Sequence, residues 1–144
     1  RLILETDPCD PSDGMYGVSK YLAERLCARY AEGRGLSVLC LRLAMVVPQH
    51  PLTAPADPRA PHWLGAVHID DAVAALGLAL DDEGSSFDIL HVAADGPASK
   101  FDISRARSRL GYAPTRDPMT LARTGTRGFL ARLVRRIRGL LDPR

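Results

Sequence analysis

Tyr16 and Lys20 are the residues of this sequence whose types and spacing best suit chemistry, and they lie in a helix-like run from Pro11 to Glu24. Residues four apart on an α-helix project from one face, so a phenol and an ammonium group at this spacing can act on the same small molecule. A nearby cation and the positive end of a helix both favour an ionised phenol. The pair therefore predicts a tyrosine that exchanges a proton with a substrate hydroxyl or carbonyl group.

The alternative interpretation of Tyr16 and Lys20 is a solvated pair on an exposed helix face. The chain contains only two lysines, Lys20 and Lys100, and four tyrosines. Random placement produces this spacing in roughly one such chain in twenty, so the surrounding sequence has to decide between the two interpretations.

Length and composition indicate one globular domain. The 144 residues are 46% hydrophobic and 25% charged, which excludes a disordered chain. No apolar run is long enough to cross a membrane, and the N-terminus lacks a signal-peptide pattern, so we expect a cytoplasmic protein. Because the first residue is Arg1 and no methionine precedes Met15, we also expect coding sequence upstream.

The cysteines and histidines give no metal-site pattern. The three cysteines, Cys9, Cys27 and Cys40, show neither metal-ligand nor redox-motif spacing, and we expect reduced thiols in or near the core. Three of the histidines are scattered along the chain: His50, His62 and His91. His68 is expected to be a structural residue at a strand-to-helix turn rather than a ligand.

The first half of the chain predicts a helix followed by a strand. The helix runs from Met15 to Glu32, with an apolar stripe at Val18, Leu22 and Leu26. The almost unbroken apolar run 36–47 is typical of a strand covered on both faces, as in a parallel sheet. Residues 48–65, rich in proline, form a loop that we place on the substrate side.

The second half continues the alternation, which favours an α/β fold over a helix bundle. Its predicted elements are a short strand at 66–69, a helix capped by Asp70 or Asp71 with apolar positions Val73, Leu76, Leu78 and Leu80, a buried strand at 87–93, and a helix from Asp102 to Leu110 that ends at Gly111.

Charge divides the chain unevenly. Residues 1–99 carry 7 basic and 14 acidic side chains, whereas residues 100–144 carry 12 basic and 3 acidic ones. From Arg127 to Arg138 the pattern predicts a basic amphipathic helix. Packing against the sheet domain or another subunit is the favoured role, and a membrane surface is second. Nucleic acid is not expected as a partner, because no stacking platform or base-reading motif accompanies the arginines.

The order of four motifs resembles the extended short-chain dehydrogenase/reductases, the NAD-dependent epimerase/dehydratase group. The motifs are Tyr16-Gly-Val-Ser-Lys20 with Glu24 beyond it, Leu41-Arg42-Leu43, Val67-His68-Ile69-Asp70-Asp71, and Leu110-Gly111-Tyr112-Ala113-Pro114. They span most of residues 5–118. The run Ser12-Asp13-Gly14-Met15-Tyr16-Gly17 and the pair Trp63-Leu64 are most similar to the branch that contains uronate dehydrogenases.

This resemblance implies roles for particular residues. Tyr16 would be the catalytic acid/base, and Lys20 would bind the nicotinamide ribose and favour the ionised tyrosine. Both residues would therefore contact the cofactor, NAD or NADP, while the substrate would be a small sugar-like molecule. Glu24 could pair with Lys20 or lie on the surface.

Two further positions are candidates for the substrate side. Where many family members have asparagine after the strand, this chain has Met45, which argues against a nucleotide-sugar substrate. Trp63, the only tryptophan, either lines the substrate pocket or anchors its loop.

The sequence has no glycine-rich strand-turn-helix run to hold a pyrophosphate. We therefore expect a partial Rossmann-like parallel sheet with flanking helices over residues 1–117, lacking the N-terminal dinucleotide-binding half. Residues 118–144 form a helical tail.

Two functional hypotheses follow. The first is an NAD(P)-dependent oxidoreductase, epimerase or dehydratase acting on a sugar or related hydroxyl compound, present as a fragment that is inactive alone. The alternative is a catalytically inert remnant that acts as an interaction module through its basic tail. A homo-oligomer is compatible with either hypothesis.

Overall fold

Helices and strands alternate along the chain in this computed structural model, which describes residues 1–8, 14–47, 65–84, 87–97 and 99–118. The elements, in chain order, are α1 (Gly14–Arg34), β1 (Val38–Leu43), β2 (Val46–Val47), β3 (Val67–His68), α2 (Ile69–Leu80), β4 (Phe87–Val92) and α3 (Ser104–Leu110). The predicted α/β class is confirmed. Trp63, most of the predicted 48–65 loop and all but the first residue of the predicted tail lie outside the described residues.

The described strands pair in parallel. β1 pairs with β4 in a register that runs from Val38 opposite Phe87 to Leu43 opposite Val92. β2 pairs with β3, with Val46 opposite Val67. Because parallel strands need a crossover between them, the presence of α2 between β1 and β4 follows from this topology.

The apolar run 36–47 forms two strands rather than the single predicted one. β1 ends at Leu43, and β2 then pairs with a different partner. The expected burial on both faces is also wrong for β1, whose residues 38–42 are only half-buried while Leu43 is 42% exposed. Within the described ranges β1 has one neighbouring strand, β4, which leaves its side chains partly open.

Helix α1 extends slightly beyond its prediction at both ends, and its apolar stripe does not face the sheet. Leu22 and Leu26 are each 58% exposed. Their neighbours Lys20 and Glu24 border the groove between α1 and β1. Two positions along a helix differ by about 200°, so a helix that turns residues 20 and 24 toward β1 must turn 22 and 26 away.

Helix α2 begins differently from its prediction. Its N-cap is His68, whose ring Nδ1 accepts a hydrogen bond from the Asp70 backbone N–H at 3.1 Å, so neither predicted aspartate is the cap. The predicted apolar positions are also largely outward, since Val73 is 59% and Leu80 is 87% exposed.

The face of α2 that enters the core is made of Asp71, Ala72 and Ala75. Two of these side chains are small, which lets the helix backbone approach the core closely. The stripe prediction failed because it counted large side chains and passed over the alanines.

The core gathers around β4. Leu90 and Val92 are fully buried beside Ala75 of α2, Ala106 of α3 and Tyr112. The Tyr112 hydroxyl donates to the Ala93 carbonyl at 3.1 Å, which satisfies the buried polar end of that ring.

Two predicted boundaries are also confirmed. The strand predicted at 87–93 is β4, and α3 ends as predicted at Gly111, which adopts a left-handed conformation with φ of 68°. None of the helices in the described ranges combines the length and apolarity that a bilayer crossing demands.

Candidate active site

Tyr16 and Lys20 lie together near the start of α1. The Lys20 Nζ atom is 5.1 Å from the centroid of the Tyr16 ring, within the range of a cation–π contact. The Tyr16 side chain is 74% exposed, so its hydroxyl is open to a ligand. The structure thus brings the two predicted residues to one face of the helix, as their spacing requires.

The face of α1 that carries Tyr16 and Lys20 also carries Glu24 and Cys27, and it is turned toward β1. Glu24 accepts two hydrogen bonds from Arg42, from Nε to Oε1 at 2.7 Å and from Nη2 to Oε2 at 2.8 Å. The two side chains are 19% and 23% exposed, respectively. Glu24 therefore neither pairs with Lys20 nor serves as a free surface residue, and both interpretations made from sequence are corrected.

Helix α1 runs antiparallel to β1. Glu24 contacts Arg42, and further along the helix Cys27 lines the same groove as Cys40, which comes earlier in the strand. With a rise of 1.5 Å per residue, Tyr16 lies roughly 12 Å beyond Glu24 along the helix axis, past the carboxyl end of β1. In open α/β sheets this edge is where ligands bind.

A groove of about 620 Å³ separates α1 from β1. Its walls carry the candidate pair and the Glu24–Arg42 contact: Tyr16, Lys20, Tyr21, Glu24 and Cys27 from the helix, and residues 40–43 from the strand. The groove is large enough for a small-molecule ligand.

Met45 lies just beyond the carboxyl end of β1. Its carbonyl accepts a hydrogen bond from the Val67 N–H at 2.9 Å, and its residue surface is 36% exposed. Met45 is therefore placed at the sheet edge but is not among the residues that line the groove. Its assignment to the substrate side stays a prediction.

A buried polar cluster connects the N-terminal segment to β4. The Glu5 side chain accepts a hydrogen bond from the His91 backbone N–H at 3.0 Å, and both residues are buried. His91 Nδ1 is 3.3 Å from the Asp102 carbonyl oxygen. Burial lowers the pKa of His91, and the Glu5 carboxylate opposes that shift.

Arg42 links this buried cluster to the candidate site. Its Nη1 atom donates to the Glu5 carbonyl at 3.2 Å while its other nitrogens hold Glu24. The sequence analysis missed Glu5. The sequence carried no signal for it, because Glu5 accepts from the backbone N–H of His91, a donor that every residue except proline supplies.

His68 has the structural role predicted for it. It is buried, and it caps α2 through Nδ1. Across the described ranges, no three histidine, cysteine or acidic side chains come close enough to hold a metal ion.

The fold and this geometry define a parallel α/β protein with a tyrosine–lysine pair near the carboxyl end of β1. Residues 3–93 match the profile of the NAD dependent epimerase/dehydratase family, and the chain belongs to that family. A search of curated proteins found no match.

Solved structures with the same fold include uronate dehydrogenase from Agrobacterium tumefaciens, with a TM-score of 0.70, 21% identity, and coverage of 88% of this chain and 44% of that chain. A mutant of that enzyme complexed with NAD gives a TM-score of 0.70 at 20% identity, with the same 88% and 44% coverage. Glucuronic acid dehydrogenase from Chromohalobacter salexigens gives 0.65 at 21% identity, covering 81% of this chain and 40% of that one.

At these identities the likeness establishes the fold. The chain spans less than half the length of each of these structures.

Proposed function

We propose that this chain carries the proton-transfer part of an NAD(P)-dependent oxidoreductase, epimerase or dehydratase that acts on a sugar or related hydroxyl compound. The observation that supports the proposal is the exposed Tyr16 ring 5.1 Å from Lys20 Nζ, at the carboxyl edge of β1. Family membership supplies the reaction class.

The chemistry assigned to this chain is proton handling. In the oxidative direction the Tyr16 oxygen takes the proton of a substrate hydroxyl, and in the reductive direction it returns a proton to the carbonyl oxygen. The Lys20 ammonium group stabilises the ionised tyrosine at that moment. A bound nicotinamide dinucleotide supplies or accepts the hydride.

The residues present fit one end of such a cofactor. Lys20 lies close enough to Tyr16 for its ammonium group to donate to ribose hydroxyls beside the phenol. A pyrophosphate requires a cluster of backbone N–H groups at a glycine-rich turn. In the described ranges, the passage from β3 to α2 contains no glycine.

We therefore assign Tyr16 and Lys20 to the ribose end of NAD or NADP. For the 144 residues alone we expect weak or undetectable NAD binding by calorimetry. A micromolar dissociation constant would contradict this assignment.

The substrate class is proposed on two grounds. The neighbours in fold are named as uronate and glucuronic acid dehydrogenases. Within this chain, Met45 stands at the sheet edge in place of a polar side chain, and Trp63 is proposed to line the same side. Together these features favour a small sugar acid or related hydroxyl compound.

The test compares two tyrosine–cation pairs on one helix. Tyr16→Phe removes the reacting hydroxyl, and we expect at least a 100-fold loss of turnover on uronates relative to the unaltered protein assayed with NAD or NADP, in line with the ~10²–10⁴-fold contribution of a general acid/base. Tyr30→Phe is the matched control, because Tyr30 also stacks with a cation four residues later, Arg34, at 5.6 Å. The Tyr30→Phe control should retain its turnover. If the Tyr16→Phe protein does too, the proposed role is rejected.

A further inference from the structure

Cys27 of α1 and Cys40 of β1 line the same groove between the two elements. They lie beside the Glu24–Arg42 ion pair, which joins α1 to β1 with a nitrogen–oxygen distance of 2.7 Å. Both thiols are free and partly exposed, and both line the groove. The proposed reaction uses neither thiol.

We propose that Cys27 and Cys40 form a redox-modification site at which a small-molecule disulfide converts the two thiols into a disulfide bond that joins α1 to β1. One cysteine thiolate attacks the small disulfide, whose S–S bond breaks and releases one small thiol. The second cysteine then attacks the mixed disulfide and releases the other. The protein loses two hydrogens, and the small disulfide is reduced to two thiols.

The geometry is favourable because the two thiols line the same groove on two facing elements. A disulfide requires Cα atoms about 4.4–6.8 Å apart and side chains that point toward each other. The Glu24–Arg42 ion pair lies one helical turn from Cys27 and two strand positions from Cys40. It therefore holds the helix in register while the sulfurs close.

The local charges govern when the site reacts. Burial is the main cause that raises the pKa of Cys40 to about 11, and its contact with Cys27 adds to the effect. Glu24 on α1 raises the pKa of Cys40 further, whereas Arg42 on β1 lowers it. Because the thiolate is the reactive form, Cys40 reacts slowly at neutral pH, and the cross-link should form faster as pH rises.

The two thiols would be oxidised to a disulfide when conditions become oxidising in a compartment that otherwise keeps thiols reduced. Its product fixes the groove wall opposite β1 about three helical turns from Tyr16. Formation of the bond does not depend on the proposed reaction, so the two proposals can fail separately.

Peptide mapping tests the site directly. Trypsin places each cysteine in its own peptide, namely residues 2–20, 26–29 and 35–42. After the folded full chain is treated with oxidised glutathione at pH 8, we expect peptides 26–29 and 35–42 to appear as one species, two hydrogens lighter than their sum. The species should disappear on reduction.

Two variants sharpen the result. Cys40→Ser should abolish the linked species and leave Cys27 as a mixed disulfide with glutathione. Cys27→Ser should likewise abolish the linked species, in protein that remains folded by circular dichroism. The proposal is overturned if the folded chain gives only mixed or intermolecular disulfides, or if Cys9 replaces either partner.

Discussion

Arg42 holds Glu24 through two hydrogen bonds of 2.7 and 2.8 Å and thereby joins the carboxyl end of β1 to the middle of α1. Glu24 lies one turn beyond Lys20, so the same contact fixes the rotation of the helix that carries Tyr16 and Lys20. A bidentate, partly buried ion pair is stronger than a surface ion pair, and its geometry is more closely defined.

We expect Glu24→Gln to lower the free energy of unfolding by about 1–3 kcal/mol, since it weakens hydrogen bonds to a charged group that stays partly buried. Urea denaturation followed by circular dichroism measures the change. Glu32→Gln is the control, because the Arg29–Glu32 pair is 3.8 Å apart with side chains 82% and 72% exposed. Its loss should cost at most about 0.5 kcal/mol. Equal effects of the two variants would contradict this account.

Asp71 anchors the segment that follows α3. Its Oδ1 atom accepts from the Thr115 N–H and hydroxyl, and its Oδ2 atom accepts from the Arg116 N–H, all at 3.0 Å. Asp71→Asn places an amide donor against one of these donors, so we expect a loss of about 1–3 kcal/mol in urea denaturation.

The neighbouring carboxylate provides the comparison for Asp71. Asp70 also contacts Arg116, at 3.1 Å, but both side chains are more than 40% exposed. Asp70→Asn should therefore change stability by no more than about 1 kcal/mol. A larger loss for Asp70→Asn than for Asp71→Asn would show that the ion pair, rather than the buried carboxylate, holds the segment.

His91 predicts a pH dependence of stability. Burial lowers its pKa in the folded chain below the usual 6.5, so between the two pKa values the unfolded chain binds a proton that the folded chain does not. Stability should therefore be full above about pH 7 and should fall as pH drops below 6.5, with a slope of at most about 1.4 kcal/mol per pH unit.

Thermal or urea unfolding between pH 7.5 and 5 measures the His91 slope. Asp7, Asp82 and Asp102 have pKa values held below 3.8 by hydrogen bonds, so their contributions are lost only at more acid pH. His91→Gln should flatten the profile in this window. An unchanged slope in that variant would assign the pH dependence to another group.

Gly65 marks a close approach of backbone to the core. Its φ is +94°, and a Cβ added there would lie 2.6 Å from Phe101 Cδ2. Gly65→Ala should therefore destabilise the fold by more than about 1 kcal/mol through strain and overlap. Gly33→Ala is the comparison. Gly33 is helical, and a Cβ added there would meet nothing within 4 Å, so the stability of this variant should be unchanged or rise by up to about 1 kcal/mol. Thermal unfolding of both variants measures the two changes in stability. A Gly65→Ala protein as stable as the unaltered one would contradict the close approach at Gly65.

Local patterns in the sequence predicted the elements that depend on local signals. The helix containing Tyr16 and Lys20, the buried strand β4 and the glycine end of α3 each follow from periodicity or a single residue with a special conformation. The co-facing of Tyr16 and Lys20 follows from helix geometry alone. Their roles in catalysis stay a proposal.

The contacts that the sequence did not reveal are long-range ones. Glu24 and Arg42 are separated by 18 positions, and Glu5 and His91 by 86. The residues around each position do not identify the partner, because any acidic residue of the chain could accept from a buried backbone N–H or from an arginine. The exposed leucines of α1 were misplaced for a related reason: only the position of β1 decides which face of the helix is turned inward.

The contact of Glu24 with Arg42 fixes the rotation of α1 about its own axis. One residue inserted between Lys20 and Glu24 would leave that contact in place, swing the tyrosine and lysine about 100° around the axis, and move them away from the sheet edge. A length change between Lys20 and Glu24 is thus incompatible with the proposed chemistry, whereas a change outside α1 and β1 leaves the rotation of the helix as it is.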